Sequence, residues 1–216
     1  MAPDLARLLD PAHTAVLTSE CQEGIIGAAS RLGPLADAVR AGGMVARVAE
    51  LVEHARAARI PVVHCTVTTR PDRGGTSANC ALLAFAASGK GGGLLPGSPE
   101  ARLLAALGPA EGDYLLARLH GISPFHGTEL DAILRNLGVR TVVASGVSLN
   151  VALLGLTIEA VNRGYQVVLP LDATAGAPPA YVELLVAHTL RLLATVTTTA
   201  AVLAAWGRVS AGCLRT

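Results

Sequence analysis

The feature that most constrains this chain is a repeated alternation of short apolar runs with helical patterns. Residues 15–19, 62–67, 114–118, 141–147, 166–171 and 196–198 read as strands, several of them apolar at nearly every position. Between them the apolar residues recur at helical spacing. Val45, Val48, Leu51, Val52 and Ala55 form one such set, and Leu130, Ile133, Leu134 and Leu137 another, with Thr128 as N-cap and Gly138 as stop. Further helices are expected over residues 100–107, about 150–163 with Gly164 as stop, 180–193, and a short one ending near Trp206. Strands without polar alternation are covered on both faces, which is the property of a parallel sheet between two helical layers. The expectation is an α/β fold, a three-layer α/β/α sandwich, in a single domain over residues 1–216. The connection over residues 68–99 is long for such a domain and therefore marks a functional loop, with a short helix over 79–87.

Composition narrows the classes of partner. Hydrophobic residues make up 51 % of the chain and charged ones 15 %, more apolar material than one core consumes, so a homodimer or tetramer is expected to cover part of the surface. A formal net charge of +1 argues against nucleic acid and anionic membranes as partners. The apolar segment over 141–161 contains Ser145, Gly146, Ser148, Asn150 and Glu159 and reads as a buried strand running into a buried helix, not a membrane span. Residues 1–13 carry no apolar run of the signal-peptide kind. The four cysteines show no CxxC pair, which fits a cytoplasmic setting.

In doubly wound sheets, ligands bind beyond the carboxyl ends of the strands. That rule selects residues 20–27, 68–73, 118–127, 145–152 and 172–176, which hold most of the notable polar side chains. Their order also carries a resemblance. The run from Thr14 to Gln22, the stretch Ser123-Pro-Phe125-His-Gly127-Thr128-Glu-Leu130, the strand and elbow from Val142 through Gly146, Val147, Ser148 and Asn150 to Ala152, the run Ala160 to Val167 with Gly164, and Asp172-Ala173 together resemble the isochorismatase-like, or cysteine hydrolase, superfamily. The resemblance spans about residues 14–206. It implies a six-stranded parallel sheet, an oligomer, a small-molecule substrate, and a cis peptide around Val147–Ser148.

In that family, an Asp and a Lys activate a Cys nucleophile that attacks an amide or similar carbonyl. All three positions differ in this chain. Glu20 stands where the first strand usually ends in Asp. The Lys position falls near Arg118 or Leu119, and Arg118 keeps only the charge, as a planar fork that does not give up a proton. Ala152 occupies the nucleophile position, and a methyl group attacks nothing. The single lysine, Lys90, sits in the Gly-rich stretch 89–93 and would serve only by folding over the site. The resemblance also covers vinyl-ether-cleaving members that lack the cysteine, so acid–base chemistry without a covalent intermediate is one reading. Glu20 is then the acid or base and Arg118 the anchor for an anionic group. Arg70, His120, Phe125, Val147, Ser148 and Asn150 are expected to line the substrate site. The other reading is a catalytically inactive member that binds a small molecule or acts as an oligomeric scaffold. A closed apolar pocket with Glu20 locked onto Arg118 would favour the inactive member, and an open cavity with Glu20 facing water the enzyme.

No cofactor or metal is expected. Nicotinamidase relatives carry histidines after the second strand, whereas residues 68–80 hold Asp72 and no histidine. Among the thiols, Cys21 and Cys65 read as buried and inert, and Cys80 alone has a loop's freedom to reach the site.

Overall fold

The computed structural model describes residues 4–88 and 93–213; Lys90 lies outside the described residues. Strand β1 (Thr14–Ser19) is buried at every position, and its side chains alternate between two cores. Val16 joins one cluster, Ala15 and Leu17 the other. The same division runs through β2 (Val62–Val67), β4 (Thr141–Gly146) and β5 (Gln166–Pro170), whereas β3 (Tyr114–Arg118) and β6 (Thr195–Thr197), at the two edges, pack side chains into the second cluster only. Together they form a six-stranded sheet in the order β3-β2-β1-β4-β5-β6, and every pairing is parallel. Helices α3 (Met44–Ala57) and α9 (Thr199–Cys213) cover one face through Val48, Leu51, Val52, Val202 and Trp206. Helices α5 (Leu130–Asn136) and α6 (Ala152–Asn162) cover the other through Leu130, Leu134, Leu153, Leu156 and Ala160. Each such leucine or valine withdrawn from water contributes about 1.5–3 kcal/mol before conformational entropy is subtracted.

The strand order positions the site. The chain lays down β1, adds β2 and β3 on one side, then crosses back to add β4 on the other. Winding therefore reverses between β1 and β4, and the carboxyl ends of those two strands flank the crevice where doubly wound sheets take their ligands.

Several sequence expectations need correction. Residues 100–107 are not one helix. They form two single 3-10 turns, Pro99–Ala101 and Ala105–Leu107. The backbone between them is pinned to the loop after β1, where Glu23 N–H donates to Arg102 O, Gly24 N–H to Glu100 O, and Leu103 bridges Gln22. Helix α6 starts at Ala152, not Asn150, because the Asn150 side chain is engaged with Ala177 O. The helical stretch after β5 runs as α7 (Pro179–Leu185), a π turn over Val186–Leu190 and α8 (Arg191–Leu193). The last helix continues well past Trp206. Two helices were not foreseen at all: α1 (Leu5–Leu8), and α2 (Gly33–Gly42), which buries Ala36 and Val39. A short α4 (Ala81–Ala87) occupies the long connection as expected.

One polar line is buried inside the sheet. Thr18 Oγ1 lies 2.8 Å from His64 Nδ1, His64 Nε2 lies 3.3 Å from Asp113, and Arg56 pairs with the same carboxylate. Burial lowers the His64 pKa against the opposing pull of Asp113. The hydroxyl, imidazole and carboxylate resemble a catalytic relay in kind, but none of the three lines the cavity described below. They fasten the start of β3 to β1 and β2. Among the described residues, no helix is long and apolar enough to cross a membrane.

Candidate functional site

The end of β1 sets the first side chain of the site. Glu20 follows the buried Ser19, its N–H donates to Cys65 O on β2, and its φ is +53°, a left-handed conformation uncommon for a residue with a Cβ. Two residues on, Gln22 is fully buried. Its Nε2 donates to Val67 O and Ala101 O, and its Oε1 accepts from the Val67 N–H, at 2.8–2.9 Å. Gln22 thus clamps the end of β2 and the 99–103 segment to the loop that carries Glu20.

Arg118 is the last residue of β3 and is buried, although it carries a full charge. Its Nη2 donates to Glu20 Oε1 and its Nε to Gly121 O at 3.3 Å. The side chains of the pair are 5 % and 15 % exposed. Among the described residues, two atoms of this pair stay uncommitted. Arg118 Nη1 is shut off from solvent without an acceptor, and Glu20 Oε2 accepts from no protein donor. An uncompensated buried donor costs about 1–3 kcal/mol, so Nη1 is a donor for which the described residues supply no acceptor.

The third wall comes from β4. Gly146 ends that strand beside Ser19, Val147 N–H donates to Ser19 O at 2.9 Å, and the Val147–Ser148 peptide is cis. Asn150 Nδ2 donates to Ala177 O at 3.1 Å. Ala152 then opens α6, and in its first turn the Leu153 N–H donates back to Ser148 O at 3.0 Å.

These elements enclose a cavity of about 350 Å³, within the range of small-molecule sites. Glu20, Arg118, Ser148, Asn150 and Ala152 line it, so five of the nine expected site residues converge. The other four do not join them. Arg70 is exposed and forks onto Asp72 at 2.8–2.9 Å. His120 is exposed, its ring edge-on to His126 at 5.6 Å. Phe125 is buried in the core, stacked on Tyr165 with the Arg163 guanidinium 4.9 Å from its ring centre. Val147 is fully buried beneath the elbow. The rest of the wall was not foreseen. It is apolar and comes from α2 and its approach (Leu32, Leu35), from α4 (Leu82, Leu83, Phe85) and from Leu94. Of the two signs set out from sequence, the structure carries one each: Glu20 is locked onto Arg118, yet the cavity takes in Glu20.

Among the described side chains, no thiol lines the cavity. Burial pushes both Cys21 and Cys65 up to about 12, and Cys80 is exposed but outside the cavity wall. Iodoacetamide at pH 8 is therefore expected to alkylate Cys80 in the native protein and to reach Cys21 and Cys65 only after unfolding, because the thiolate is the reactive form. Peptide mass spectrometry reads this directly, and native labelling of Cys21 or Cys65 at the Cys80 rate would refute it. Among the described residues, no group of three or more His, Cys, Asp or Glu side chains is placed to hold a metal ion.

Comparison with known proteins agrees with this geometry. The isochorismatase domain model matches residues 14–201. A ureidoacrylate amidohydrolase of Methylobacterium radiotolerans is 29 % identical over 193 residues, 79 % of this chain and 70 % of its own. Among solved structures, a cysteine hydrolase from Pseudomonas syringae pv. phaseolicola superposes with a TM-score of 0.77 at 25 % identity, covering 92 % of this chain and 94 % of that one. An N-carbamoylsarcosine amidase from Thermoplasma acidophilum superposes with a TM-score of 0.67 at 25 % identity, covering 87 % and 96 %. With the match running from the first residue of β1 into the start of α9 and the strand-end crevice in its expected place, this chain belongs to the isochorismatase family of hydrolases.

Proposed function

We propose that this family member hydrolyses a small carboxamide or N-carbamoyl compound without a covalent intermediate. The observation that carries the reading is the free oxygen of Glu20. Arg118 fixes Oε1, which leaves Oε2 on the cavity wall as a hydrogen-bond acceptor for a water molecule. In the step we propose, Glu20 Oε2 takes a proton from that water while its oxygen attacks the carbonyl carbon. The C–N bond then breaks, and the same proton passes to the leaving nitrogen. Arg118 Nη1 supplies a donor for the oxygen that gains charge. Ala152 leaves room where a bulkier side chain would fill the attack position. The amidohydrolase and amidase names of the relatives support an amide-like substrate.

The Glu20–Arg118 lock favours a second reading, a member that binds such a compound without turning it over. A panel of carboxamides, N-carbamoyl compounds, cyclic imides and isochorismate separates the two when run on wild type, Glu20→Gln and Glu20→Asp in parallel. Turnover in wild type, a loss of about 10²-fold or more in Glu20→Gln, the usual scale for removing a general base, and recovery in Glu20→Asp are the expected results. Binding without turnover in any variant would establish the inactive reading.

Two further features complete the proposal. Ile158 and Val161 on α6 and Tyr181, Leu184 and Leu192 beyond it are exposed, and together they support a homo-oligomer. The free thiols of Cys21, Cys65 and Cys80 support a reducing, cytoplasmic setting.

A further inference from the structure

Helix α4 has an unusual composition for its position. Its seven residues, Ala-Leu-Leu-Ala-Phe-Ala-Ala, are all apolar, and none of them is buried. Leu82 and Phe85 are 46 % and 39 % exposed. A soluble chain does not gain by holding a wholly apolar helix against water, because each such side chain forgoes its transfer free energy. The side chains are not scattered over the surface. Leu82, Leu83, Phe85 and Ala86 all line the same cavity as Glu20 and Arg118, opposite Ile25, Leu32 and Leu35. The cavity is therefore divided in character. Its strand-end floor holds one ion pair with an unmatched donor, Arg118 Nη1, and its outer wall is almost entirely hydrocarbon.

From this division we infer that the ligand is an amphipathic carbonyl compound: a compact carboxamide head set against Arg118 and Glu20, and an alkyl or aryl body lying under α4. The inference rests on the reading of this cavity as the ligand site, but not on turnover. A cavity of about 350 Å³ is of small-molecule size, so the hydrocarbon body is a short alkyl chain or a single ring. A ligand whose body is itself charged or strongly hydrated meets no polar partner on α4, since that helix has no polar side chain. The wall thus sets specificity, and the floor sets chemistry.

Isothermal titration of the intact protein with acetamide, butyramide, hexanamide and octanamide tests this without any need for catalysis. Burial of one methylene is worth about 0.8 kcal/mol, so affinity is expected to rise about fourfold per CH2. The gain should level off once the chain fills the cavity. Leu82→Ser with Phe85→Ser alters only half-exposed side chains and is expected to leave the melting temperature in place. It should reduce the gain per methylene to about twofold or less, because the hydrocarbon then lies against hydroxyls. An affinity that does not change with chain length overturns the inference. So does a double variant that shifts the oligomeric mass in sedimentation while leaving the slope unchanged, because α4 would then be covered by a second copy of the chain. Amides that bind with the expected slope and are not hydrolysed would refute the proposed hydrolysis alone.

Discussion

Arg118→Ala is expected to lower the stability of the fold by about 3–5 kcal/mol, the range for removing one partner of a buried ion pair. The cost comes less from the lost contact than from what stays behind. Glu20 is held at the strand end with only 15 % of its side chain exposed, and among the described residues Arg118 is the one cation paired with it. The tie from Arg118 Nε to Gly121 O is lost as well, and with it the anchor of the loop after β3. Glu20→Ala should be destabilising for the mirror reason, since it leaves a guanidinium in a position that is 5 % exposed. The double variant should recover a substantial part of the loss, because neither charge is then stranded. Urea unfolding of the four proteins gives the coupling energy by a double-mutant cycle. Single variants within about 1 kcal/mol of wild type would place the pair in the weak class of solvent-screened surface bridges.

Gly146→Ala is expected to be at least as damaging, with a loss of more than about 4 kcal/mol or no folded protein at all. A Cβ at this position would lie 2.3 Å from Ser19 O and 2.9 Å from both Ser19 N and Cys21 Sγ. Two of those three atoms are backbone of the central strand and cannot rotate away. The φ of +98° adds a conformational cost of its own. The contact exists because Ser19 and Gly146 are register partners at the carboxyl ends of β1 and β4, where the crevice opens. Gly164→Ala is the matched control. It also has a positive φ, +89°, but no atom lies within 4 Å of the added methyl. It should therefore cost only about 1–2 kcal/mol, the backbone term alone. Thermal unfolding of the two variants side by side separates close approach from backbone strain. Equal losses would mean that the β1–β4 spacing is not what Gly146 protects.

The outcome also shows what could be read from residue order. The strands were legible because β1, β2, β4 and β5 are apolar on both faces, and that property is local. Glu20, Arg118, Ser148, Asn150 and Ala152 were legible because each follows a strand closely, and the sheet brings strand ends together whatever the loops do. Arg70 and His120 satisfy the same rule and still miss the cavity. Their side chains found partners a few residues away, Asp72 and His126, and a nearby partner outcompetes a distant crevice. Helix α2 was hidden because it opens on Gly33-Pro34 and buries only Ala36 and Val39, too few apolar positions to form a period. The turns over 99–107 read as a helix because their hydrogen bonds go to the loop after β1, a long-range pairing that no local pattern reveals. For the same reason, the apolar wall from α4 could not be assigned to the site. A run of alanine and leucine predicts a helix but does not say what it faces.

The proposed hydrolysis runs through the Glu20 carboxylate and water, with nothing bonded to the protein at any stage. Intact-mass spectrometry of the enzyme, quenched during turnover of its best substrate, tests it most directly. The expected result is the unmodified mass at every time point while product accumulates, with product formation slowed about 10²-fold or more in Glu20→Gln. A transient mass increase equal to the acyl group, on Cys21, Cys65 or any other residue, would contradict it.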